Sequence, residues 1–499
     1  MTNEIEELKI ADGSTSEPGP MNTYRLASAL KRLNCWTEAT DWFLKLIEGN
    51  AEPELRSGAY FHVGEIHWFL NHRDTALGYF KKCLELDPGH RKARQYLDGT
   101  APETDNASIA RPLPSSQAAR TPFPEVHASP LKILFIQNSP CIRNYKYASA
   151  LRKKGYPVTL AYTTRKLSEC YQLTDEVYKA SIKLESTEQL IALCREFDII
   201  HCHNDPDILT LGAIQSGMPV IHDTHDLISL RNKSTPTGLE TSILESLAQK
   251  GATGCIYTTP EKADISASMY HLNDKPVLVV DNYCSEDDIP APEDFLPKRS
   301  KQDGHIHIVY EGGLATSGIR DFMEIFPRLV RHEHIHVHVF PVDNASANTA
   351  TYCQLARYFP RLHLYPPVSP NDLIRVMTQF DVGIIPFTHP SGNFKKFLDT
   401  TIANKLYEYM AAGLPVVTAD IQSYRRFFSE HPTGFVYQNE EEIIEKLPQL
   451  LEKNASVDFS NYVFTYEKEI DKVIRFYHTV IAYWKTKKTK KDKKNVMGS

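Results

Sequence analysis

The amino-acid sequence predicts an α/β protein in which two Rossmann-like domains face a cleft and a small all-α helical-repeat module precedes them. A chain of 499 residues is too long for one hydrophobic core and suits two or three domains. Short apolar segments alternate with amphipathic helical segments in two series, over residues 130–285 and 286–465. This alternation predicts two doubly wound parallel sheets. A repeated helical pattern over residues 21–98 predicts the N-terminal module.

Composition and charge argue against several classes of protein. The formal net charge of -6 does not suit a nucleic-acid-binding protein, which normally carries a basic face. No apolar run approaches the roughly 18 residues of a membrane-spanning helix. The N-terminus is acidic and polar, unlike a secretory signal. The nine cysteines are scattered without a CxxC pair, which is typical of reduced thiols, so we expect a cytoplasmic protein.

The N-terminal third is predicted to hold a tail, a module and a linker. Residues 1–20 are polar and rich in Ser, Gly and Pro, which predicts disorder. The stretch AYFHVGEIHWFLNHRDTALGYFKKCLELDPGHRKARQYL resembles a tetratricopeptide repeat, and the stretch before it echoes the pattern. Two copies are fewer than a free-standing solenoid needs, so the module should pack on the larger body or on a protein partner, with a plain helical hairpin as the alternative. Residues 99–129 are predicted to be a linker.

The C-terminal end is predicted to return to the first domain. Residues 466–484 read as an amphipathic helix that packs back on that domain. The Lys-rich residues 485–499 are predicted to be a solvated, mobile tail, with at most peripheral contact to a membrane.

The segment IANKLYEYMAAGLPVVTAD carries the clearest functional signal. It predicts a helix from Asn404 to Ala412, stopped by Gly413 and followed by a buried strand. The free N–H groups that begin this helix would form an anion site at the carboxyl end of a strand. Glu408 shares a helix face with Asn404 and could accept hydrogen bonds from a ribose diol, while Lys405 or the amides hold phosphate.

A second motif, YEGGLATSGIRDF, follows the first strand of the second domain. Gly312 and Gly313 stand directly after that strand, where missing side chains let the backbone approach a phosphate closely. A pair of glycines is also compatible with an ordinary turn.

At these residues the chain resembles retaining glycosyltransferases of family 4 and their close GT-B relatives, over about residues 131–480. Many of them close the nucleotide site with a segment of the form NKLxEYMAAGxPVV. The resemblance implies that Glu408 holds the ribose of a sugar nucleotide. It also implies that residues 130–285 form the acceptor side and residues 286–465 the nucleotide-sugar side.

The chain departs from the family pattern at two places. A glutamate that often contacts the transferred sugar is replaced by Thr400, so neighbouring Asp399, or loop amides around Ser391 to Asn393, are the candidate substitutes. Two basic positions of the glycine-rich loop are also changed. Arg320 becomes the candidate partner of the diphosphate, with Lys395 and Lys396 as rivals.

Polar side chains end two strands of the first domain. HCHNDPD places His203, Asn204 and Asp205 at one strand end, and HDTHDLISL places Asp223, His225 and Asp226 at the next. The second string resembles the D-[ST]-H-[ED]-L signature of a GT-B subgroup. By that resemblance His225 contacts the transferred sugar, and Asp226 joins the predicted catalytic residues. The alternative is a core histidine bonded to a backbone carbonyl.

The histidines of HEHIHVHVF raise the question of a metal. His332, His334, His336 and His338 alternate and would share one face of a strand. No Cys or carboxylate completes a known ligand spacing around them, so we predict no metal site.

Together these features predict transfer of a sugar from a nucleoside diphosphate sugar, by default a UDP-sugar, to a glycan, lipid or protein acceptor. The resemblance implies retention of configuration without an essential metal or other cofactor. Two alternatives stay open: a sugar-nucleotide epimerase on the same fold, and a catalytically weak GT-B body that binds a partner through its helical module.

Overall fold

The computed structural model describes residues 19–32, 36–69, 72–99, 130–166, 175–204, 206–231, 236–272, 275–343, 346–388 and 392–497. The predicted linker from residue 100 onward and most of the predicted N-terminal tail lie outside these ranges. That tail ends earlier than predicted, because a helix already begins at Pro20, a residue favoured in the first helical turn.

The N-terminal module consists of helices that pack consecutively against one another. Small residues allow the close approach, since a Cβ at Gly64 would lie 2.6 Å from the ring of Phe80. The described helices are α1 Pro20–Arg32, α2 Trp36–Glu48, α3 Pro53–Phe69, α4 Arg73–Leu86 and α5 Arg91–Leu97. The predicted helical region is therefore present, while its assignment to tetratricopeptide repeats stays a prediction.

The module packs on the second Rossmann-like domain. Its first helices share one hydrophobic core with that domain's sheet, and the Trp42 indole donates a hydrogen bond to the Tyr358 hydroxyl at 3.0 Å. Arg25 donates to the hydroxyl of Thr316 at 3.0 Å, in the loop that follows Gly312 and Gly313. The module thus contacts a loop of the predicted nucleotide site.

The first Rossmann-like domain is built on a seven-stranded parallel sheet in the order β3-β2-β1-β4-β5-β6-β7. Its central strands are fully buried, as expected for a sheet covered by helices on both faces. The strands are β1 Ile133–Gln137, β2 Val158–Tyr162, β3 Tyr178–Lys183, β4 Ile199–His203, β5 Val220–Thr224, β6 Gly254–Tyr257 and β7 Val277–Val279. The described helices are α6 Ile142–Lys153, α7 Thr187–Cys194, α8 Ile208–Ile214, α9 Ile228–Arg231, α10 Pro236–Gly251 and α11 Pro260–Tyr270.

The second domain repeats this topology on a six-stranded parallel sheet in the order β10-β9-β8-β11-β12-β13. The strands are β8 Ile306–Gly312, β9 Ile335–Pro341, β10 Leu362–Leu364, β11 Val382–Ile385, β12 Val416–Ala419 and β13 Gly434–Tyr437. The described helices are α12 Ser300–Asp303, α13 Ile325–Val330, α14 Ala347–Ala356, α15 Pro370–Met377, α16 Gly392–Leu398, α17 Asn404–Ala411, α18 Gln422–Glu430 and α19 Glu440–Asn454.

The last helix, α20, crosses back to the first domain. It spans Tyr466–Met497, and its apolar side joins the core around β1 and β2. Residues 485–497, part of the predicted solvated and mobile tail, continue this helix, and residues 485–489 are exposed. Lysine is a good helix former, and no Gly or Pro interrupts the stretch before Gly498. None of the described helices combines the length and apolar composition needed to span a bilayer.

We predict that Trp42→Ala loosens the contact between the module and the second domain. The indole is 6% exposed, and its removal should destabilise this interface by about 3–5 kcal/mol through the lost volume. Thermal unfolding should begin at a lower temperature, and amide hydrogen exchange should speed up in α14, which packs against α1. Asp41→Ala, at the exposed neighbouring position, serves as the control and should change neither measurement. Unchanged exchange in α14 of the Trp42 variant would contradict this packing.

Candidate functional site

The loop after β8 brings together four of the predicted site residues. Gly312 has a φ of +128°, a conformation that favours glycine, and a Cβ there would lie 2.7 Å from the Lys405 ammonium nitrogen. A Cβ at Gly313 would lie 2.8 Å from a guanidinium nitrogen of Arg320. The two glycines therefore leave room for two cationic side chains beside the carboxyl end of β8.

Helix α17 begins at Asn404, and its N-cap residue is Ala403, which makes no side-chain capping hydrogen bond. The helix ends at Ala411, and Gly413 then takes the left-handed φ of +73° that stops it. The Tyr409 hydroxyl accepts a hydrogen bond from the Glu311 amide at 2.9 Å and so ties the helix to the end of β8. Gly383 makes this possible, because a Cβ there would lie 2.2 Å from the Tyr409 ring.

Glu408 projects from α17 toward the first domain. Its carboxylate lies 3.8 Å from the Lys146 ammonium of helix α6, and the two side chains are 15% and 5% exposed. Burial and the neighbouring carboxylate of Glu311 raise the pKa of Glu408 to about 7, against the opposing effects of Lys146 and Lys405. Glu408 therefore lies between the two domains in an environment where it can take up or release a proton near neutral pH.

Lys405 is half-buried and supplies positive charge to the same place. Its ammonium lies 5.1 Å from the centre of the Tyr310 ring. Burial lowers the pKa of Lys405. The nearby Glu311 carboxylate raises that pKa, but only enough to offset part of the effect of burial. Arg320, at the end of a short turn, is exposed. The arrangement offers one half-buried and one solvent-facing cation to an anionic ligand.

Arg143 and Asp223 form a buried ion pair beneath the first-domain side of the site. The guanidinium donates to both Asp223 oxygens, at 3.1 and 3.2 Å, and also to the Tyr466 hydroxyl at 2.9 Å. Burial raises the pKa of Asp223, but Arg143 and His225 lower it more, so that it stays well below its usual range. This pair anchors the carboxyl end of β5.

His225 lies just after β5, with one ring nitrogen 3.6 Å from the Cys141 sulfur and the other 3.2 Å from His203. Burial lowers the pKa of His225, but Cys141 and Asp223 raise it more, to about 9. Burial raises the pKa of Cys141, but His225 lowers it more, to about 7. At neutral pH an imidazolium therefore faces a thiol that loses its proton in this range.

Asn204 fixes the loop that carries His225 and Asp226. Its side-chain oxygen accepts the His225 amide at 2.9 Å, and its side-chain nitrogen donates to the Asp226 carbonyl at 2.8 Å. The Asp226 carboxylate lies 3.4 Å from Arg231 and is 40% exposed. A cavity of about 330 Å³ opens here, lined by residues that include Gln137, Ser139, Cys141, Asn204, His225 and Asp226.

The predicted sugar contact of Asp399 stays a prediction, and its carboxylate has protein partners in the structure. Its carboxylate accepts hydrogen bonds from Lys395 at 2.8 and 2.9 Å and from the Gln422 amide at 3.0 Å, so it caps helix α18. Lys395 is engaged in the same ion pair. The Thr400 carbonyl oxygen accepts a hydrogen bond from the Thr259 hydroxyl at 2.6 Å. Ser391, the side chain of Asn393 and Asp205 lie outside the part of the chain that the structure describes.

Sequence reasoning missed four residues that the fold brings to this site: Glu311, Lys146, Arg143 and Cys141. One signal was available for the two on helix α6. That helix begins directly after β1 and carries Arg143 but no acidic residue in its first turn, although helix N-termini favour acidic side chains. In the fold, the acidic groups that compensate these two cations come from other elements: Asp223 for Arg143 and Glu408 for Lys146.

Comparisons with known proteins agree with this architecture. Residues 305–453 match the family model described as glycosyl transferases group 1. That range contains all the second-domain residues predicted for the site, from Gly312 to Glu408. The predicted glycosyltransferase is thereby confirmed at the level of this domain. No curated protein sequence matches the chain.

Two solved structures are similar in fold. Sucrose-phosphate synthase from Thermosynechococcus elongatus shares 12% identity, with a TM-score of 0.52, over 70% of this chain and 99% of that one. HepE from Anabaena, solved in complex with UDP, shares 14% identity, with a TM-score of 0.50, over 69% of this chain and 99% of that one. The predicted fold class, two Rossmann-like domains of the GT-B type after a helical region, is confirmed.

We predict that Cys141 is the more reactive of two partly exposed thiols. The imidazolium of His225 lowers the pKa of Cys141, whereas burial raises the pKa of Cys353, which serves as the internal control. Alkylation by iodoacetamide, followed by mass spectrometry from pH 6 to 9, should show Cys141 half-reactive near pH 7. His225→Gln removes the imidazolium, so the midpoint for Cys141 should move to higher pH. An unmoved midpoint would contradict the pairing of these side chains.

Proposed function

We propose that this chain transfers a sugar from a nucleoside diphosphate sugar to an acceptor. UDP is the proposed nucleotide, which the UDP bound to the similarly folded HepE supports. The proposal rests mainly on one observation: Glu408 lies between the two domains. It stands one turn inside helix α17, whose first turn places Lys405 beside Gly312.

The second domain would bind the nucleotide. Ribose hydroxyls would donate to the Glu408 carboxylate, and the diphosphate would lie against the start of α17 and the backbone of Gly312 and Gly313. Negative charge grows on the phosphate oxygen as the bond to the sugar breaks. Lys405 and Arg320 would stabilise that charge, more strongly once domain closure excludes water.

The first domain would hold the transferred sugar and the acceptor. His225 lies at the strand end beside the cavity, and Asn204 holds its backbone in place. Both ring nitrogens of His225 face protein groups, Cys141 and His203, and a cationic imidazole cannot accept a proton from the acceptor. We therefore propose a positioning role for His225 and leave Asp226, which is partly exposed, as the proposed proton acceptor. Retention of configuration is proposed from the resemblance of the α17 segment alone.

The reaction can be tested with the purified full chain and a panel of UDP-, GDP- and ADP-sugars. Release of nucleoside diphosphate that requires an added glycan, lipid or peptide acceptor would support transfer. Conversion of the sugar nucleotide into an isomer without an acceptor would instead identify an epimerase. Tight binding without turnover would leave a nucleotide-binding module and contradict the proposed activity.

We predict that Glu408→Ala weakens binding of UDP by ~10- to 100-fold, because two charge-assisted hydrogen bonds to ribose are lost. Isothermal titration calorimetry measures the change directly. Glu441→Ala, at an exposed position of the same domain, should bind as the unaltered chain does. Full UDP affinity in the Glu408 variant would refute the ribose contact.

We also predict that binding of a UDP-sugar strengthens as the pH rises through about 7. The pKa of Glu408 is raised to about 7, so at pH 6 only about a tenth of the molecules hold the carboxylate that ribose requires. The dissociation constant should therefore fall ~10-fold between pH 6 and pH 8. A UDP-sugar is preferred to UDP for this test, because a terminal phosphate titrates in the same range. Glu408→Gln should abolish the dependence, and a persistent dependence would show that another group titrates.

A further inference from the structure

A group of histidines lies at the opposite end of the second sheet from the proposed nucleotide site. His305 immediately precedes β8, His336 is the second residue of β9, and His363 is the middle residue of β10. These positions belong to the amino ends of the strands or to an edge strand, whereas the cleft lies at the carboxyl ends. Any role of this group is therefore separate from sugar transfer.

Asp303 completes the group. It ends the short helix α12, and its carboxylate turns back to accept the His305 amide at 2.9 Å. Its two oxygens each lie 3.1 Å from one ring nitrogen of His307. The ligand atoms that Asp303, His305 and His336 can offer all lie within 4.8 Å of one another.

We propose that Asp303, His305 and His336 bind a divalent transition-metal ion, with zinc as the reference case. The His305 Nδ1 and His336 Nε2 atoms are 2.9 Å apart. Two nitrogen ligands of a tetrahedral zinc ion lie about 3.3 Å apart, given bonds of about 2.05 Å. A small outward turn of each ring therefore makes room for the ion, and solvent can supply the fourth ligand.

Two further histidines are placed to hold the ligands in position. His363 lies 2.9 Å from the second ring nitrogen of His336, so that His336 can donate its remaining proton there and present its other nitrogen to the ion. His307 can donate to whichever Asp303 oxygen the ion leaves free. Hydrogen bonds of this kind orient metal ligands in proteins and raise their affinity.

The charges and exposure around the group also suit a cation. Asp303 is 40% exposed, which gives the ion access from solvent. Arg361 lies close enough to influence His336, but its guanidinium is held by the Val330 carbonyl, with hydrogen bonds of 3.2 and 2.9 Å. Two other groups of this kind exist among the described residues. One consists of His307, His336 and His338, and so shares His336 but offers no carboxylate to balance the charge of the ion. The other, around Asp223, is fully buried and already neutralised by Arg143. Repulsion from that guanidinium disfavours a cation there.

This inference replaces the sequence-based expectation of no metal site. The alternation of His332 to His338 within one segment suggested ligands from a single strand. In the fold, β9 contributes only His336 to the proposed ligands, and the other two come from residues just before the neighbouring strand β8.

The test uses the full chain, freed of metal with a chelator, and titrated with ZnCl₂ by calorimetry. One equivalent should bind and should raise the thermal unfolding temperature. His363→Ala removes a residue that only orients a ligand, so it should weaken zinc binding by ~10- to 100-fold. Asp303→Asn and His305→Ala alter the ligands themselves, so each should weaken zinc binding by more than that. His332→Ala, an exposed histidine outside the group, should bind as the unaltered chain does.

Cobalt provides a readout that does not depend on stability. The Co²⁺-loaded chain should show the visible absorption of a site with nitrogen and oxygen ligands, and His305→Ala should lose it even if that variant unfolds at a lower temperature. Undiminished zinc binding in both Asp303→Asn and His305→Ala would overturn the proposal. Loss of binding in His203→Asn alone would also overturn it, since the ion would then belong to the Asp223 cluster.

Discussion

The carboxylate of Glu408 is held close to a second carboxylate, that of Glu311, at the boundary between two domains. Two like charges in a partly buried place repel each other unless cations compensate them or one takes up a proton. Lys405 compensates from the same helix, and Lys146 does so from the first domain. The electrostatic balance at this point therefore depends on how the two domains meet, and a bound nucleotide would have to enter it.

On the first domain, the Arg143–Asp223 pair has the corresponding role. An isolated charge in such a place would cost several kcal/mol, so each partner needs the other, and their shared hydrogen bonds hold the strand end still. Tyr466, at the start of the C-terminal helix, is uncharged and accepts a hydrogen bond from Arg143. The chain thus returns from the second domain to brace the first-domain side of the cleft.

The central strands and the edge strand β10 were readily predicted, whereas the edge strands β3, β7 and β13 were not. Segments such as LKILFIQ and VGIIPF are continuous apolar runs because both faces of their strands are covered by other elements. Strand β3 has the sequence YKASIK and is largely exposed, while β7 and β13 have only three and four residues. Edge strands lack one neighbour and part of their cover, so they need no continuous apolar pattern.

The site divides in the same way between residues adjacent in sequence and residues brought together by folding. Gly312, Gly313, Lys405 and Glu408 could be predicted as site residues because local sequence alone places each of them at a strand end or a helix start. Glu311 is adjacent to Gly312, but its place in the site depends on its contacts with Tyr409 and Glu408, about a hundred residues further along the chain. Asp399 had the right residue type near the right place, but Lys395 and the Gln422 amide engage its carboxylate.

The sequence by itself determined which segments form strands and helices, and which polar residues stand at their ends, because apolar periodicity and glycine positions are local properties. Only the tertiary structure decided which charges face one another: Lys146 against Glu408, Arg143 against Asp223, and Asp303 beside His305 and His336. The reason is that electrostatic and metal-ligand interactions act over a few ångströms of space. Separation along the chain carries little information about such distances once parallel strands and a returning helix have rearranged it.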